Sequence, residues 1–439
     1  MDAAIAASST EPHLVDGLDF RLPPTGQYIE SKRQVTWQPA SANNFSPNGA
    51  RLVRFQLAGH DWLLGETVRV SWQVNNTDAG ANRNLMPLSV YGGAMISRAR
   101  LIVNSQIVDD LQYYNRTNEL LSYLLSPGRR NLDAGEGFGN NNAADWNAVI
   151  TPEPIAPSTG RRVNFPLLFG LFAQPKWLPM SYMNNLTIEL ELGDADGWID
   201  SATANSSSWN ITDVRMFADV VSLDPGLTNA ISEHVMAGKS LPIAYSSFFT
   251  QMNTNPGNNP TFMTSLTKGY SYLKGVLVTF FCPSGEGGVP ANTNKKALNH
   301  FWSWGSATAD LNPAHDRFDV FLSIGNKIMP EYHVTSFSEA WYRLRLAVGK
   351  YASDSMISVT PREFRSSKFI LAWDTERGAL QAGGGLAHTG ISTTGGETLT
   401  LQAKGMSADG TTLGPSYVYT TLHYDGILQL QLDSASILS

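Results

Sequence analysis

The histidine and acidic residues of this chain provide few of the spacings that catalysis or metal binding requires. Its eight histidines form no His-x-His, His-x-x-x-His or His-Glu-x-x-His pattern, and these are common spacings of metal ligands. His60 and Asp61 are adjacent and could form a general acid–base pair. Because the pair directly follows Gly59, we favour a structural role in a turn.

A second candidate site is the acidic segment 194–200. It carries Asp194, Asp196 and Asp200, and calcium loops likewise present oxygen ligands at intervals along a short segment. Here, however, glycine stands at the fourth position rather than the sixth, and no glutamate follows at the twelfth. We therefore interpret the segment as an acidic turn, and the sequence predicts no metal site.

Two glycine-rich segments, 135–139 and 383–385, resemble phosphate-binding loops only in composition. A phosphate cradle needs a strand before it and a helix after it, and neither segment has that context. We predict that both are flexible loop tips. No Gly-x-Ser-x-Gly nucleophile motif occurs. The sequence thus predicts no catalytic residue and no cofactor, although acidic pairs that meet only in space remain open.

Four tryptophans in predicted loops are candidates for stacking on sugar rings: Trp146, Trp198, Trp302 and Trp304. Burial in a core or in an interface is the commoner use of such side chains. They keep open one alternative function, that of a carbohydrate-binding or carbohydrate-active two-domain β-sandwich protein.

The composition indicates a β-rich chain with two cores. A single core stops growing at about 250–300 residues, so 439 residues predict two domains. Charged residues make up only 16% of the chain, which suggests that neighbouring subunits cover much of its surface. The net charge is −7 and dense Lys or Arg clusters are absent, so direct binding to nucleic acid is not expected. The one cysteine, Cys282, excludes an internal disulfide and is expected to be buried.

Neither a signal peptide nor a transmembrane segment is expected. The chain starts Met1-Asp2-Ala3 without a basic region, and no apolar run approaches ~18 residues. Synthesis in the cytoplasm is therefore expected.

Alternation of apolar and polar residues predicts the strands that must position any site. The clearest is the segment 67–74, in which Val68, Val70, Trp72 and Val74 share one face. Further strands or strand pairs are predicted at 34–38, 51–57, 96–108, 210–223, 241–251, 269–281, 318–329, 369–373 and 398–403.

Helices and turns are predicted from caps and from apolar residues at helical spacing. One helix should be capped by Asn115 or Thr117 and end at Pro127-Gly128, followed by a long loop over 128–160. Further helices are predicted at 227–236, at 295–304 and after Ser336 or Ser338. A closing hairpin should join 417–422 to 427–432 through Asp425-Gly426, a strong turn signal.

The order of elements repeats at about half the length of the chain. Residues 100–125 read strand, turn, strand and helix, and residues 321–346 read the same at an offset of 327 − 106 = 221. The triplet Leu186-Thr187-Ile188 recurs as Leu399-Thr400-Leu401, at an offset of 399 − 186 = 213. We interpret this repeat as two β-sandwich domains built on one plan.

The stretch 165–192 combines prolines with a strand. Pro166, Pro175 and Pro179 separate apolar clusters, so we predict strand, corner and strand, with no helix running through. The segment 186–192 alternates strictly, which predicts one buried face and one face in water.

This stretch resembles a known family. Phe165-Pro166-Leu167, then Leu178-Pro179-Met180, then the strand from Leu186 are similar to the end of the first jelly roll in double-jelly-roll major capsid proteins. Those proteins belong to tailless icosahedral double-stranded DNA viruses of the large eukaryotic virus, virophage and polinton-like types. Met180 and Gly170 depart from the family pattern, which more often has Leu and an aromatic residue there.

The resemblance implies an all-β fold of two consecutive eight-stranded jelly rolls, each with a short helix and long loop insertions. It predicts an N-terminal arm at 1–30, a first jelly roll at 31–225, a linker helix at 226–240 and a second jelly roll at 241–439. It also implies a non-enzymatic role in the virion capsid, after synthesis in the cytoplasm of a host cell. A viral spike or vertex protein remains a further alternative.

The resemblance also implies the partners of the chain. Three copies should form a pseudo-hexameric homotrimer, the capsomer, which contacts neighbouring capsomers in an icosahedral shell. Penton and minor capsid proteins, and an internal membrane, are further expected partners, reached through the arm at 1–30.

Overall fold

The computed structural model of this chain consists mainly of antiparallel β-strands. The residues that the structure describes are 28–40, 42–140, 150–199, 206–282, 298–304, 318–348, 357–376, 389–395, 398–407, 414–432 and 434–438. The strands of the first half are β1 (Ile29–Trp37), β2 (Asn44–Phe45), β3 (Leu52–Leu57), β4 (Trp62–Leu63), β5 (Arg69–Asn76), β6 (Ile96–Val103), β7 (Gln106–Gln112), β8 (Gly160–Pro166), β9 (Leu178–Pro179), β10 (Leu186–Leu192) and β11 (Trp209–Leu223).

The second half continues with the same kind of element. Its strands are β12 (Leu241–Thr254), β13 (Phe262–Leu266), β14 (Leu273–Phe281), β15 (Asp319–Ile324), β16 (Lys327–Val334), β17 (Ile370–Asp374), β18 (Leu399–Lys404), β19 (Tyr417–Leu430) and β20 (Ala435–Leu438). The α-helices of the described residues are α1 (Tyr114–Leu124), α2 (Pro127–Glu136), α3 (Gly170–Ala173), α4 (Pro225–Met236), α5 (Phe337–Val348) and α6 (Pro361–Ser366).

Each half of the chain folds into two sheets with the same strand order. In the first half, the long strands are ordered β1-β11-β5-β8 in one sheet and β3-β10-β6-β7 in the other. In the second half, the orders are β12-β19-β14-β17 and β13-β18-β15-β16. Eight strands that alternate between two sheets in this order form a jelly roll. The predicted fold, two consecutive eight-stranded jelly rolls, is confirmed.

The half-chain repeat seen in the sequence corresponds to equivalent elements. The hairpin β6–β7 turns at Asn104 and Ser105, both with positive φ, and the hairpin β15–β16 turns at Gly325, also with positive φ. A helix follows each hairpin, α1 in the first roll and α5 in the second. β10 and β18, which the second offset related, occupy the same position in their sheets.

The cores lie between the paired sheets and follow from the alternation of each strand. In and beside β5, the predicted inward residues Val68, Val70, Trp72 and Val74 are all buried. The two cores also exchange residues, because Leu120, Tyr123 and Leu124 of α1 belong to the core of the second roll, and Ile243, Tyr245 and Leu428 belong to the core of the first. The two rolls are therefore packed tightly against each other.

The stretch 165–192 differs from its prediction in containing a helix. Strand β8 ends at Pro166, and α3 forms a single turn before Pro175, with the amide of Phe172 donating to the carbonyl of Phe169 at 3.0 Å. A four-residue helix fits between Pro166 and Pro175 without including either residue. Proline therefore excludes only a longer helix here, because it disrupts helices when it lies in their interior.

The polar face of β10 is buried rather than in water. β10 lies between β3 and β6, and Glu189 is only 4% exposed. Arg54 on β3 donates to Glu189 Oε1 at 2.9 Å, and Arg100 on β6 pairs with Oε2 at 2.8 Å. Because arginines on both neighbouring strands neutralise the Glu189 carboxylate, this central strand can alternate apolar and polar residues although both of its faces are buried.

The predicted caps and end of the first long helix were wrong. The residue before α1 is Tyr113, in the left-handed region, and it makes no side-chain cap. Pro127 begins α2 instead of ending α1, and the Ser126 hydroxyl accepts from the Arg129 amide at 3.4 Å. Proline at the first helical position has no amide to lose, so the same residue type serves as a start signal. The start of the predicted 128–160 loop is therefore helical.

The predicted closing hairpin was also wrong, because β19 runs unbroken through Asp425-Gly426 and pairs with β12 along its whole length. A Cβ on Gly426 would lie 2.9 Å from the ring of Tyr245, so this glycine permits a close approach of an aromatic ring. Two other predictions differ: 269–281 contains one strand, β14, and the described residues 298–304 are not helical.

Candidate functional site

The predicted acid–base pair is part of the scaffold. Asp61 accepts from Arg33 at 2.8 Å and from the Ser222 hydroxyl at 3.1 Å, which ties the β4 region to β1 and β11. His60 is exposed. Asp61 therefore has the structural role that the sequence favoured for the pair.

The acidic segment forms a turn, as predicted. The Gly197 amide donates to the carbonyl of Asp194 at 3.2 Å, and the Asp194 carboxylate pairs with Arg51 at 3.3 Å. Asp200 lies outside the described residues. Within the described part of the chain, no group of three or more His, Cys, Asp or Glu residues is arranged to hold a metal ion.

The first glycine-rich segment is packed, so the prediction of a flexible tip was wrong there. Its first two residues are the end of α2, and a Cβ on Gly137, the next residue, would lie 2.1 Å from the carbonyl oxygen of Val90. A Cβ on Gly139 would lie 2.6 Å from the carbonyl oxygen of Ala134. These glycines permit two backbone segments to touch. The second segment, 383–385, lies outside the described residues.

Of the four candidate tryptophans, the three that the structure describes are core residues. Trp198 is 1% exposed and packs edge-on against Trp209 at 5.3 Å. Trp302 and Trp304 are buried in the core of the second roll, as is Cys282. Trp146 lies outside the described residues. The described tryptophans therefore form no platform for sugars, and the carbohydrate alternative is not favoured.

The two jelly rolls share a buried interface, to which both cores contribute residues. From the first roll, α1 contributes Tyr123, whose ring packs edge-on against Phe301 at 5.6 Å. The Ser358 hydroxyl donates to the carbonyl of Leu125 at 2.7 Å, so a segment of the second roll also covers the end of the helix. The helix that follows β7 thus docks into the neighbouring roll.

A buried arginine anchors this helix. The guanidinium of Arg116 lies 4.4 Å from the ring centroid of Tyr419 and 4.7 Å from that of Phe301. It donates to the carbonyl of Phe280 at 3.0 Å and to that of His300 at 3.4 Å. Burial lowers the pKa of Arg116 to about 10. Aromatic faces and backbone carbonyls replace the water that this cation gives up.

Beside Arg116, three threonine hydroxyl groups form further hydrogen bonds between the two rolls. The Thr117 hydroxyl lies 2.7 Å from that of Thr250, which lies 2.9 Å from that of Thr421. All three are buried. The chain of hydrogen bonds runs from α1 through β12 to β19, so it joins the first roll to the large sheet of the second.

A second contact joins α3 of the first roll to β12 of the second. A Cβ on Gly170 would lie 2.0 Å from the carbonyl oxygen of Ser246, so no other residue fits without moving the backbone. The Gly170 amide donates to Asp109 Oδ2 at 3.2 Å, and the Tyr424 hydroxyl donates to Asp109 Oδ1 at 3.5 Å. One carboxyl group therefore links both rolls.

Asp109 is a titratable group at the centre of this interface. Burial raises its pKa to about 6, although hydrogen bonds and the charge of Lys268 act in the opposite direction. The phenols of Tyr245, Tyr270 and Tyr424 surround it, and burial raises the pKa of each. The carboxyl therefore gains a proton on mild acidification while its neighbours keep theirs.

An apolar groove of about 680 Å³ opens beside the junction of the rolls. Its lining includes Leu227 and Ile231 of α4, Trp62, Trp177 and the first described residue, Tyr28. The groove thus lies where the described chain begins and where the connecting helix passes from one roll to the other.

Several large apolar side chains of the second roll are exposed. On the outer strand β16 they are Ile328 and Tyr332, and on α5 they are Tyr342 and Leu346. Among the described residues, no helix is long and apolar enough to cross a membrane. Exposed apolar residues on a sheet edge and on an adjacent helix are typical of protein–protein contacts.

Sequence reasoning missed the interface residues. Arg116 stands on the same helical face as Leu120 and Tyr123, and a cation on an apolar face is a signal of a buried charge. Asp109 directly follows the strand pair predicted at 96–108 and stands between the apolar residues Val108 and Leu111, which is a weaker signal. Gly170 had no signal beyond its departure from the family pattern, because its role depends on a contact with β12 in the other roll.

No protein-family model matches the sequence, and no curated protein sequence matches it significantly. Solved structures do match. VP54 of PBCV-1, fitted into a reconstruction of the virophage Sputnik, has a TM-score of 0.63 at 11% identity, over 96% of this chain and 99% of that chain. The Faustovirus major capsid protein has a TM-score of 0.61 at 8% identity, over 97% and 94%. The likeness shows that this chain shares their double-jelly-roll fold.

Proposed function

We propose that this chain is the major capsid protein of a double-stranded DNA virus, a structural protein of the virion and not an enzyme. The observation that carries the proposal is the double jelly roll, whose two rolls are arranged as in the Faustovirus major capsid protein over 97% of the chain. The interface between the rolls supports it, because hydrogen bonds from Arg116 to Phe280 and from Tyr424 to Asp109 join one roll to the other. A rigid pair of rolls is the unit that a regular shell needs.

We further propose that three copies form a pseudo-hexameric capsomer. Each copy contributes two similar rolls, so a ring of three presents six rolls around its axis, and such rings can tile the facets of an icosahedral shell. The low share of charged residues, 16%, suits extensive permanent contacts between copies and between capsomers.

The proposed organisation of the chain keeps the division made from the sequence. It consists of an arm at 1–30, a first roll at 31–225, a linker helix at 226–240 and a second roll at 241–439. The sheets themselves use residues 29–223 and 241–438, and α4 lies between them, which supports this division. The protein would be made in the host-cell cytoplasm and act in the virion.

Negative-stain electron microscopy of the purified protein tests the proposed capsomer. The expected particles have a hexagonal outline with six lobes, because each of three copies contributes two rolls. Particles with only two lobes at all concentrations would contradict the proposal, because they would show that the chain remains a monomer.

The arm provides a second test. It is proposed to bind penton or minor capsid proteins, or an internal membrane, and no direct contact with nucleic acid is proposed. Deletion of residues 1–25 should leave capsomers intact and impair assembly into shells, measured by sedimentation of assembled particles. The full-length chain is the matched control. Shells formed in normal yield by the shortened chain would contradict this role of the arm.

A further inference from the structure

We propose that β16 and the exposed face of α5 bind strand β1 of a second copy of this chain, reproducing the contact that β7 and α1 make with β12 inside one copy. The proposal rests on the proposed capsomer, because it names the surfaces by which copies meet. The proposal starts from the half-chain repeat. In the first roll, the face formed by β7 and α1 is covered by the second roll, whereas the equivalent residues of β16 and α5 in the second roll are exposed.

β7 and β16 are equivalent strands that share an irregularity. Each is the last strand of its four-stranded sheet, and each follows the equivalent hairpin turn of its own roll. In β7, the pairing passes from Ile107 to Asp109 across a bulge. In β16, it passes from Met329 to Val334. The irregularities differ in size, because β7 has one extra residue, Val108, whereas residues 330–333 of β16 stand opposite the single residue Phe321. Each outer strand therefore departs from regular pairing near the same place in its roll.

The bulge of the first roll contacts the second roll. The Tyr245 hydroxyl, on β12, donates to the carbonyl of Val108 at 3.3 Å, and Asp109 accepts from Tyr424. The bulge of the second roll carries Tyr332, which is 75% exposed. A large exposed aromatic residue at the position of an established contact favours a second contact of the same kind.

The two helices show the same difference. Both begin after their hairpin, at Tyr114 and Phe337. Aligning these first helical residues gives an offset of 337 − 114 = 223, two residues longer than the offset of 221 between the hairpin turns, and it relates Tyr123 to Leu346, since 346 − 123 = 223. Tyr123 is 2% exposed because the second roll covers it, whereas Leu346 is 43% exposed. Tyr342, one turn earlier on α5, is exposed as well. The uncovered face of α5 thus corresponds to a covered part of α1.

The acceptor surface follows from the same equivalence. β12 pairs with the long strand β19, and β1 pairs with the long strand β11. Ile243 and Tyr245 of β12 are buried beneath the first roll, while the segment 29–34 of β1 is exposed throughout. β1 is therefore the equivalent strand that lacks a cover within one copy.

The geometry of a head-to-tail ring agrees with this pairing. β16 presents exposed Glu331 beside Tyr332. Lys32 and Arg33 of β1 are exposed but are already paired with Asp219 and Asp61 of their own copy, so a contact with Glu331 would be shared with those carboxylates. The contact joins different surfaces of the two copies and is therefore head-to-tail. Head-to-tail contacts close into a ring when the rotation permits, and six rolls with alternating internal and external contacts form such a ring.

The first experiment replaces the exposed tyrosine. Tyr332→Arg places a cation against Lys32 and Arg33 and should raise the apparent dissociation constant of the trimer by at least about 10-fold, as loss of a central aromatic contact does. The matched control is Met263→Arg on β13, which is also exposed but lies at the other edge of the same sheet. The control should leave the trimer unchanged, and circular dichroism should show both variants folded.

The second experiment measures proximity directly. A chain carrying both Tyr332→Cys and Arg33→Cys should be cross-linked by a short bis-maleimide into covalent trimers, since each copy then has one donor and one acceptor thiol. Each single variant should remain a monomer on denaturing gels. The pair Met263→Cys with Arg33→Cys is the control and should not cross-link. Native Cys282 is buried and should not react.

The outcomes separate this inference from the proposed function. Cross-linked trimers together with weakened association of Tyr332→Arg support both. A stable trimer that neither cross-links nor responds to Tyr332→Arg would overturn the inference and leave the capsomer standing. A protein that is monomeric at every concentration would overturn both.

Discussion

Asp109 makes the stability of the roll–roll interface depend on pH. Burial raises its pKa from 3.8 to about 6, so the folded chain binds a proton more tightly than the unfolded chain. At pH values below 3.8 both states are protonated and there is no penalty. Stability then falls as the pH rises from 3.8 to about 6, and above that the full penalty of an ionised buried carboxyl remains.

The size of the penalty follows from the shift. The difference between 3.8 and about 6 corresponds to about 3 kcal/mol, at 1.36 kcal/mol per pKa unit. Asp109→Asn keeps an acceptor for Gly170 and Tyr424 but has no charge to bury. Part of this penalty is already present at pH 4, so relative to the wild type the variant should gain about 2 kcal/mol in unfolding free energy between pH 4 and pH 7.5.

Urea denaturation followed by tryptophan fluorescence from pH 4 to pH 8 measures this difference. The control is Asp110→Asn, because the Asp110 carboxylate is paired with Arg98 through two hydrogen bonds of 2.8 and 2.7 Å. The control should lose stability or stay unchanged at neutral pH. If the difference between Asp109→Asn and the wild type were the same at every pH, Asp109 would not titrate in this range and the reasoning would be refuted.

Two further substitutions test the same interface by calorimetry. Arg116→Ala should lower the free energy of unfolding by about 2–4 kcal/mol, because it removes the contacts of the guanidinium with two aromatic rings and two hydrogen bonds at once. Full stability of the Arg116→Lys variant would contradict the role given to the planar guanidinium. Gly170→Ala should cost about 1–3 kcal/mol or more, because its Cβ would meet the carbonyl of Ser246. Gly128→Ala, where a Cβ meets nothing within 4 Å, is the control, and an equal effect of the two alanines would refute the close approach.

Local patterns predicted the strands and hairpins because those elements depend on neighbouring residues. The alternation around Trp72 and the turns at Asn104 and Gly325 were sufficient to locate them. The repeat of strand, turn, strand and helix was visible for the same reason, since each unit is continuous in the chain. The order of strands within each sheet was not predicted, because it depends on pairing between strands that are far apart in sequence.

Long-range packing explains the predictions that failed. Asp425-Gly426 has the composition of a turn, but β12 pairs with β19 along its whole length and Tyr245 covers the glycine, so the strand continues. Glu189 has the composition of a wet face, but Arg54 and Arg100 come from strands far away in sequence. Such neighbours are unknown until the sheet order is known.

The interface between the rolls was the least predictable feature. Its components, Arg116, Asp109 and Gly170, gain their roles only from partners in the second half of the chain. Pro127 shows a different limit, because proline marks both the start and the end of helices and its meaning depends on the cap before it. Ser126 supplies that cap, and a helix start was the correct interpretation.

The mass of the protein in solution tests the central claim most directly. Size-exclusion chromatography with light scattering should give a stable species near three times the chain mass of 47.9 kDa, across at least a tenfold range of concentration. A single species of 47.9 kDa throughout that range would contradict the claim that this chain is the subunit of a trimeric capsomer.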